Sequence, residues 1–251
     1  MRRFVLLVCA GAVVLLLAAG AASAYEPAPW PKPTKKCDRS GGLCVGTDRT
    51  DAIYGSNAAD DIRTRAGDWD WAHGRPGNDA LYGGADRDSL RGGPGRDDLH
   101  GGAGGDTLDG DDGDDTLRGG ARPDTLDGDA GEDTLRGGLG GDRLDGDDGN
   151  DALHGGPGDD DIWSTGSGAD RLYGGPGDDH LWLGYGQSDG AQDRLHCGEG
   201  HDTYTLPDPP DASDQVSASC EERLTFPPPP EDPEGPINPG HPMPPYEFIY
   251  D

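Results

Sequence analysis

Aspartate residues recur along this chain at a spacing regular enough to suggest shared chemistry. In one run of ten, each aspartate follows the previous one by nine positions: Asp79, Asp88, Asp97, Asp106, Asp115, Asp124, Asp133, Asp142, Asp151 and Asp160. With insertions of one or five residues, the register extends to Asp51, Asp60, Asp70, Asp170, Asp179, Asp193 and Asp202. Carboxylates repeated in this way could serve as ligands for a hard cation such as Ca²⁺, which prefers oxygen donors.

An aliphatic residue accompanies each aspartate of the run two positions later. These residues are Leu81, Leu90, Leu99, Leu108, Leu117, Leu126, Leu135, Leu144, Leu153 and Ile162. The repeating unit reads G-G-x-G-x-D-x-L-x, as in residues 92–100. The segment x-L-x predicts a short strand with one side chain pointing inward, and the glycine-rich segment predicts a turn. Two units then form one coil of a two-sheet, all-β solenoid with coils stacked about 4.8 Å apart.

The turns alternate with a period of eighteen residues, which is one full coil and favours a two-sided roll. One edge carries the acidic turns 110–115, 128–133 and 146–151, whereas turns such as 101–106 and 119–124 on the opposite edge are neutral or basic. We therefore expect the acidic edge around Asp115, Asp133 and Asp151 to bind Ca²⁺ more tightly. Asp86 and Arg122 replace the glycine at the fourth repeat position, so the sites in those two turns are less regular.

Composition explains why such a fold needs a cation. The chain has 45 glycines, 31% hydrophobic residues and a formal net charge of −29, which by themselves are typical of an acidic disordered chain. One leucine per strand makes a thin core, and stacked carboxylates about 5 Å apart repel one another. Bound Ca²⁺ relieves the repulsion between carboxylates and supplies folding free energy. Mg²⁺ fits less well because it requires octahedral geometry, and Zn²⁺ prefers histidine or thiolate ligands.

With this repeat, the chain resembles the hemolysin-type calcium-binding family of RTX nonapeptide repeats over residues 45–206. The resemblance implies a right-handed parallel β-roll in which sixth-position carboxylates and turn carbonyls bind Ca²⁺ between turns. The implied ligands are the ten aspartates of the run together with Asp170 and Asp179.

The remaining segments predict an exported protein. Residues 1–24 have the basic start, apolar stretch and A-x-A site of a signal peptide. We expect a proline-rich extended segment at 25–36, the β-roll at 37–206, a cap at 207–225 and a proline-rich disordered tail at 226–251.

Four cysteines follow the predicted signal peptide, and sequence alone allows three pairings. About eight coils would place the two ends of the roll about 40 Å apart, far beyond the reach of a disulfide. If the roll is correct, the pairs are Cys37–Cys44 and Cys197–Cys220.

No motif of nucleophilic or zinc-dependent catalysis is present, so we do not expect an enzyme. The expected function is that of a secreted calcium-binding β-roll that folds on binding Ca²⁺ and has a structural or surface-associated role. Its acidity argues against nucleic acid as a partner, and stable membrane insertion is not expected. The alternatives are a remnant of an RTX exoprotein and an adhesin-like module that binds an extracellular glycan or protein, with Trp163 and Trp182 as candidate contacts.

Overall fold

The computed structural model describes residues 34–183, 190–206 and 212–224, in which the regular secondary structure consists of β-strands without helices. The predicted signal peptide, most of the proline-rich segment and the tail lie outside the described residues. No described segment is a helix long and apolar enough to cross a membrane.

The strands form two parallel ladders, which are the two sheets of a solenoid. The first contains β2 (Gly42–Val45), β6 (Asp98–Ala103), β8 (Thr116–Ala121), β10 (Thr134–Leu139), β12 (Ala152–His154), β14 (Arg171–Pro176), β16 (Arg194–Glu199) and β18 (Gln215–Val216). The second contains β1 (Lys35–Lys36), β3 (Ala52–Tyr54), β7 (Thr107–Asp109), β9 (Thr125–Asp127), β11 (Arg143–Asp145), β13 (Asp161–Ser164), β15 (His180–Leu183), β17 (Thr203–Thr205) and β19 (Glu222–Arg223). The longer strands β4 (Asp60–His73) and β5 (Ala80–Arg91) run through a turn and belong to both.

The register confirms the predicted coil. Leu117 pairs with Leu99 on one side and Leu135 on the other, so partners in regular coils are eighteen residues apart. The solenoid has about ten turns, against the eight expected. The ladders also include β1 before Cys37, and β18 and β19 after residue 206.

The core is a double column of aliphatic side chains, as the x-L-x pattern predicts. All ten residues from Leu81 to Ile162 in the run have exposures of 1% or less. The strand residues on either side of each leucine face outward, because neighbouring residues in a strand point to opposite faces. One buried leucine per strand gives a long, narrow core.

A disulfide lies near each end of the solenoid, with the predicted pairing. Cys37 pairs with Cys44 and Cys197 with Cys220, with Cα separations of 5.5 and 5.0 Å. These bonds are typical of proteins that leave the reducing cytosol.

Candidate metal centre

The aspartates at the sixth repeat position form two buried columns, one along each edge. Every one of the twelve predicted metal ligands is at most 3% exposed. Each lies at the end of a turn, where the backbone enters the next strand and directs the side chain back into the turn. The structure therefore brings the predicted residues together as two rows of carboxylates beside the leucine core.

One oxygen of each carboxylate joins successive coils. The backbone N–H of Asp97 donates to Oδ1 of Asp115 at 2.6 Å, and that of Asp106 donates to Oδ1 of Asp124 at 2.7 Å. The same bond recurs from coil to coil, ending with Asp193 N–H to Asp214 Oδ1 on one edge. On the other edge, Asp202 N–H donates to Glu221. Asp214 and Glu221 were not identified from the sequence because neither lies in a recognisable repeat.

In eleven of the twelve predicted ligands, the second carboxylate oxygen lacks a hydrogen-bond donor. In Asp79, Asp88, Asp97, Asp106, Asp115, Asp124, Asp133, Asp142, Asp151, Asp160 and Asp179, Oδ2 is buried and has no hydrogen-bond partner among the described residues. A buried carboxylate oxygen without a donor is costly, so eleven of them in two columns require compensating positive charge.

The first glycine of each turn creates the space that these oxygens occupy. A Cβ on Gly110 would lie 2.6 Å from Oδ2 of Asp115 and 2.8 Å from the carbonyl oxygen of Gly128 in the next coil. The space at Gly101 is similar, with Asp106 Oδ2 at 2.5 Å and the next coil's carbonyl at 2.7 Å. Carboxylate and carbonyl oxygens that converge in this way are the donor set that Ca²⁺ takes, so the residues fit this ion.

Burial makes the columns hard to ionise. Burial, with further contributions from neighbouring carboxylates, raises the pKa of Asp88 and of Asp151 to about 8. Burial likewise raises the pKa of Asp97, Asp115 and Asp133 to about 7. At neutral pH, these groups lie close to their titration midpoints and gain from a bound cation.

The two edges differ in the charges around the column. Besides burial, the acidic side chains of Asp114 and Asp111 raise the pKa of Asp115 on the acidic edge. On the opposite edge, burial raises the pKa of Asp106 while the guanidinium of Arg87 acts to lower it. The contrast is not uniform along the columns, because on the opposite edge burial, together with the carboxylates of Asp106, Asp70 and Asp86, raises the pKa of Asp88 to about 8.

Three carboxylates obtain a donor for Oδ2 from the chain itself. The Ser164 hydroxyl donates to Oδ2 of Asp170 at 2.8 Å. In the first two turns, Thr47 and Ser56 each donate both a backbone N–H and a hydroxyl group to Oδ2, of Asp51 and Asp60 respectively. These hydroxyl residues depart from the repeat consensus, and they supply Oδ2 with donors, although Oδ1 of Asp60 stays buried without a partner among the described residues.

Two further groups of carboxylates lie on the outside of the acidic edge. The groups are Asp109, Asp111 and Asp129, and Asp127, Asp145 and Asp147. Within each group, one oxygen of every residue lies within 4.8 Å of the others, an arrangement that could hold a metal ion. The guanidinium of Arg91 already contacts Asp109 and Asp111 in the first group.

The sequence did not predict these outer groups, because each combines two kinds of position. Asp109, Asp127 and Asp145 follow a leucine and were expected on the strand surface, whereas Asp111, Asp129 and Asp147 lie in the turns. Asp111, Asp129 and Asp147 occupy the second repeat position with φ of 69°, 62° and 54°. Aspartate tolerates this left-handed conformation better than most residues. The signal available in the sequence was the D-G-D triplet at 109–111, 127–129 and 145–147.

The irregular fourth-position residues also adopt positive φ, 67° at Asp86 and 84° at Arg122. In the same turns, Oδ2 of Asp88 and of Asp124 remains buried and without a partner, as in the regular turns. The substitutions thus alter the backbone of the turn while the buried carboxylate stays in place.

Fold and site together define a parallel β-solenoid whose two edges carry buried columns of carboxylates suited to Ca²⁺. Four segments of the chain, residues 73–108, 109–144, 137–166 and 164–187, match the family model described as the RTX calcium-binding nonapeptide repeat. Residues 73–187 are therefore hemolysin-type repeats of the RTX family. The comparisons with curated proteins and with solved structures found no match.

Proposed function

We propose that this protein is a secreted calcium-binding β-roll that folds when Ca²⁺ binds and serves a structural or surface-associated role rather than a catalytic one. The observation that carries the proposal is the set of eleven buried Oδ2 atoms, in two columns, without a donor among the described residues. The family match to calcium-binding repeats supports it independently.

The twelve sixth-position aspartates are the proposed ligands, together with carbonyl oxygens of the glycine-rich turns. When bound, Ca²⁺ supplies positive charge between carboxylates that otherwise raise one another's pKa. The chain's own contribution is to hold Oδ1 in the ladder of backbone hydrogen bonds and leave Oδ2 directed at the space beside the first glycine. Charge distribution supports tighter binding on the acidic edge than on the opposite one.

Export is proposed to use residues 1–24 as a signal peptide, which leaves residues 25–36, the β-roll, its cap and the tail from 226 in the mature chain. The two disulfides support an oxidising destination.

Calcium titration followed by circular dichroism tests the proposal. The full mature chain with intact disulfides is expected to be largely disordered in chelator and to gain β-structure as Ca²⁺ is added, with Mg²⁺ much less effective. Equilibrium dialysis should show several ions bound per chain. A spectrum unchanged between chelator and saturating Ca²⁺, together with no measurable Ca²⁺ uptake, would refute the proposal.

A further inference from the structure

The outward face of the first ladder carries an unusual distribution of charge. The row that follows its buried aliphatic residues contains Arg63, Tyr82, His100, Arg118, Arg136, His154, Tyr173 and His196. Every member of this row is basic or aromatic, although the chain has 49 acidic and only 20 basic residues.

Acidic neighbours neutralise the amino-terminal half of this face. Arg63 donates to both oxygens of Asp61, at 2.8 and 2.9 Å. Asp98 contacts Arg118 and also lies 3.1 Å from Nε2 of His100. Little charge remains there for a partner.

The carboxyl-terminal half differs. On β10, β12, β14 and β16 the outward positions flanking the leucines contain no acidic residue. We define the basic patch as Arg136, His154, Arg171, Tyr173, Arg194 and His196. Within the described residues, none of its three arginines forms an ion pair, and Arg194 contacts the neutral Gln192. The turns after β10, β12 and β14 begin with glycine pairs, whereas the turn after β16 begins with Cys197 and Gly198 and contains Glu199.

The rings of the patch are stacked on one another. The His154 and Tyr173 ring centroids are 4.5 Å apart with planes 5° from parallel, and those of Tyr173 and His196 are 5.3 Å apart and parallel. Stacking along the roll occupies much of the ring faces and leaves N–H and O–H edges available beside the guanidinium groups. The patch is thus a flat row of hydrogen-bond donors, about 15 Å long over four strands.

We propose that the basic patch binds an acidic polysaccharide, with the arginines pairing with its carboxylates and the ring edges donating to its hydroxyl groups. This inference rests on the proposed function, because the patch exists only in the folded roll. A carboxylated glycan fits better than nucleic acid for two reasons. Single-stranded nucleic acid needs open aromatic faces for stacking, and a phosphate chain carries a denser charge that a chain of net charge −29 repels.

Isothermal titration with a hyaluronan oligosaccharide, whose uronate groups Ca²⁺ does not cross-link into a gel, tests the patch. In saturating Ca²⁺, the mature chain is expected to bind it and to release it as salt rises, and a neutral malto-oligosaccharide should not bind. The double variant Arg171→Gln/Arg194→Gln should lose about tenfold or more in affinity, since charged hydrogen bonds contribute strongly.

The matched control is Arg63→Gln/Arg118→Gln, which removes the same charge from the neutralised half of the same face. Its affinity should stay within about twofold of the original, because its arginines are already paired. Circular dichroism in Ca²⁺ must show equal β-structure in all three proteins. Three outcomes with a folded roll would overturn this proposal alone: no binding of hyaluronan, equal binding of the neutral glycan, or preference for a DNA oligomer. Failure of the mature chain to fold with Ca²⁺ overturns both proposals.

Discussion

Replacement of Asp133 by asparagine should stabilise the roll without Ca²⁺ and weaken its response to Ca²⁺. Asp133 is 1% exposed, and its Oδ1 accepts the backbone N–H of Asp115 at 2.7 Å. Asparagine keeps that acceptor and the side-chain volume. Its amide nitrogen would occupy the position of Oδ2, which borders the same space beside Gly128 as the carbonyl oxygen of Gly146, a hydrogen-bond acceptor.

The expected magnitude follows from the pKa of Asp133, which burial raises from about 4 to about 7. Ionising this carboxyl therefore costs about 4 kcal/mol more in the folded chain than in the unfolded chain. At pH 8 without Ca²⁺, Asp133→Asn removes that cost and should favour the roll. With Ca²⁺, the variant lacks a charged ligand at this site, and a loss of about 1.4 kcal/mol there would weaken Ca²⁺ binding at that one site about tenfold.

The assay is circular dichroism in two series, a Ca²⁺ titration at pH 8 and a pH titration in chelator. Asp133→Asn should gain less stability from added Ca²⁺ in the first series and retain β-structure to higher pH in the second. Asp170→Asn is the matched control, because the Ser164 hydroxyl already supplies Oδ2 of Asp170 with a donor. Equal loss of calcium response in both variants, or destabilisation of Asp133→Asn in chelator, would refute the assignment.

Two further predictions concern the whole column and its glycines. In chelator, the original chain should gain β-structure on acidification: the stability linked to the raised aspartate pKa values is fully present below about pH 4 and is lost as pH rises through about 6 to 8, the range set by Asp79 and Asp151. Circular dichroism between about pH 3 and pH 9 checks this, and a β-signal that instead rises with pH would contradict it. Gly110→Ala should lower the melting temperature in Ca²⁺ more than Gly105→Ala, because its Cβ would lie 2.6 Å from Asp115 Oδ2, whereas the closest atom to a Cβ on Gly105 is a carbonyl oxygen at 3.0 Å. Calorimetry of both variants measures the difference, and equal melting temperatures would argue against a tightly bordered site.

Much of the fold follows from the repeat itself. A nine-residue spacing with one aliphatic residue per unit determines the coil length, the core and which carboxylates align, and the coil length in turn restricts the disulfide pairs. The additional turns could not be predicted in the same way. Strands β18 and β19 contain Gln215–Val216 and Glu222–Arg223, which pair through their backbones without the glycine–aspartate pattern.

The site was predictable at the level of the aspartate column but not of its individual oxygens. Only coordinates show that Oδ1 is used by the backbone of the preceding coil while Oδ2 is left without a donor. The hydroxyl donor at Asp170 depends on a one-residue insertion that brings Ser164 into the turn. Similarly, the outer carboxylate groups depend on positive φ at Asp111 and its equivalents, which the spacing does not reveal.

The hydroxyl donors of the first turns also make the amino-terminal end of the solenoid different from the repeats that follow it. Both oxygens of Asp51 accept hydrogen bonds, from Thr34 and Thr47, and the neighbouring Cys37–Cys44 disulfide holds the same end together. This end can order before any ion arrives, and it presents a ready strand edge to the next coil. Because each coil of a solenoid contacts mainly its neighbours, folding that starts at this end adds one coil at a time. We therefore expect folding to begin at the amino-terminal end and to add coils as their Ca²⁺ sites fill.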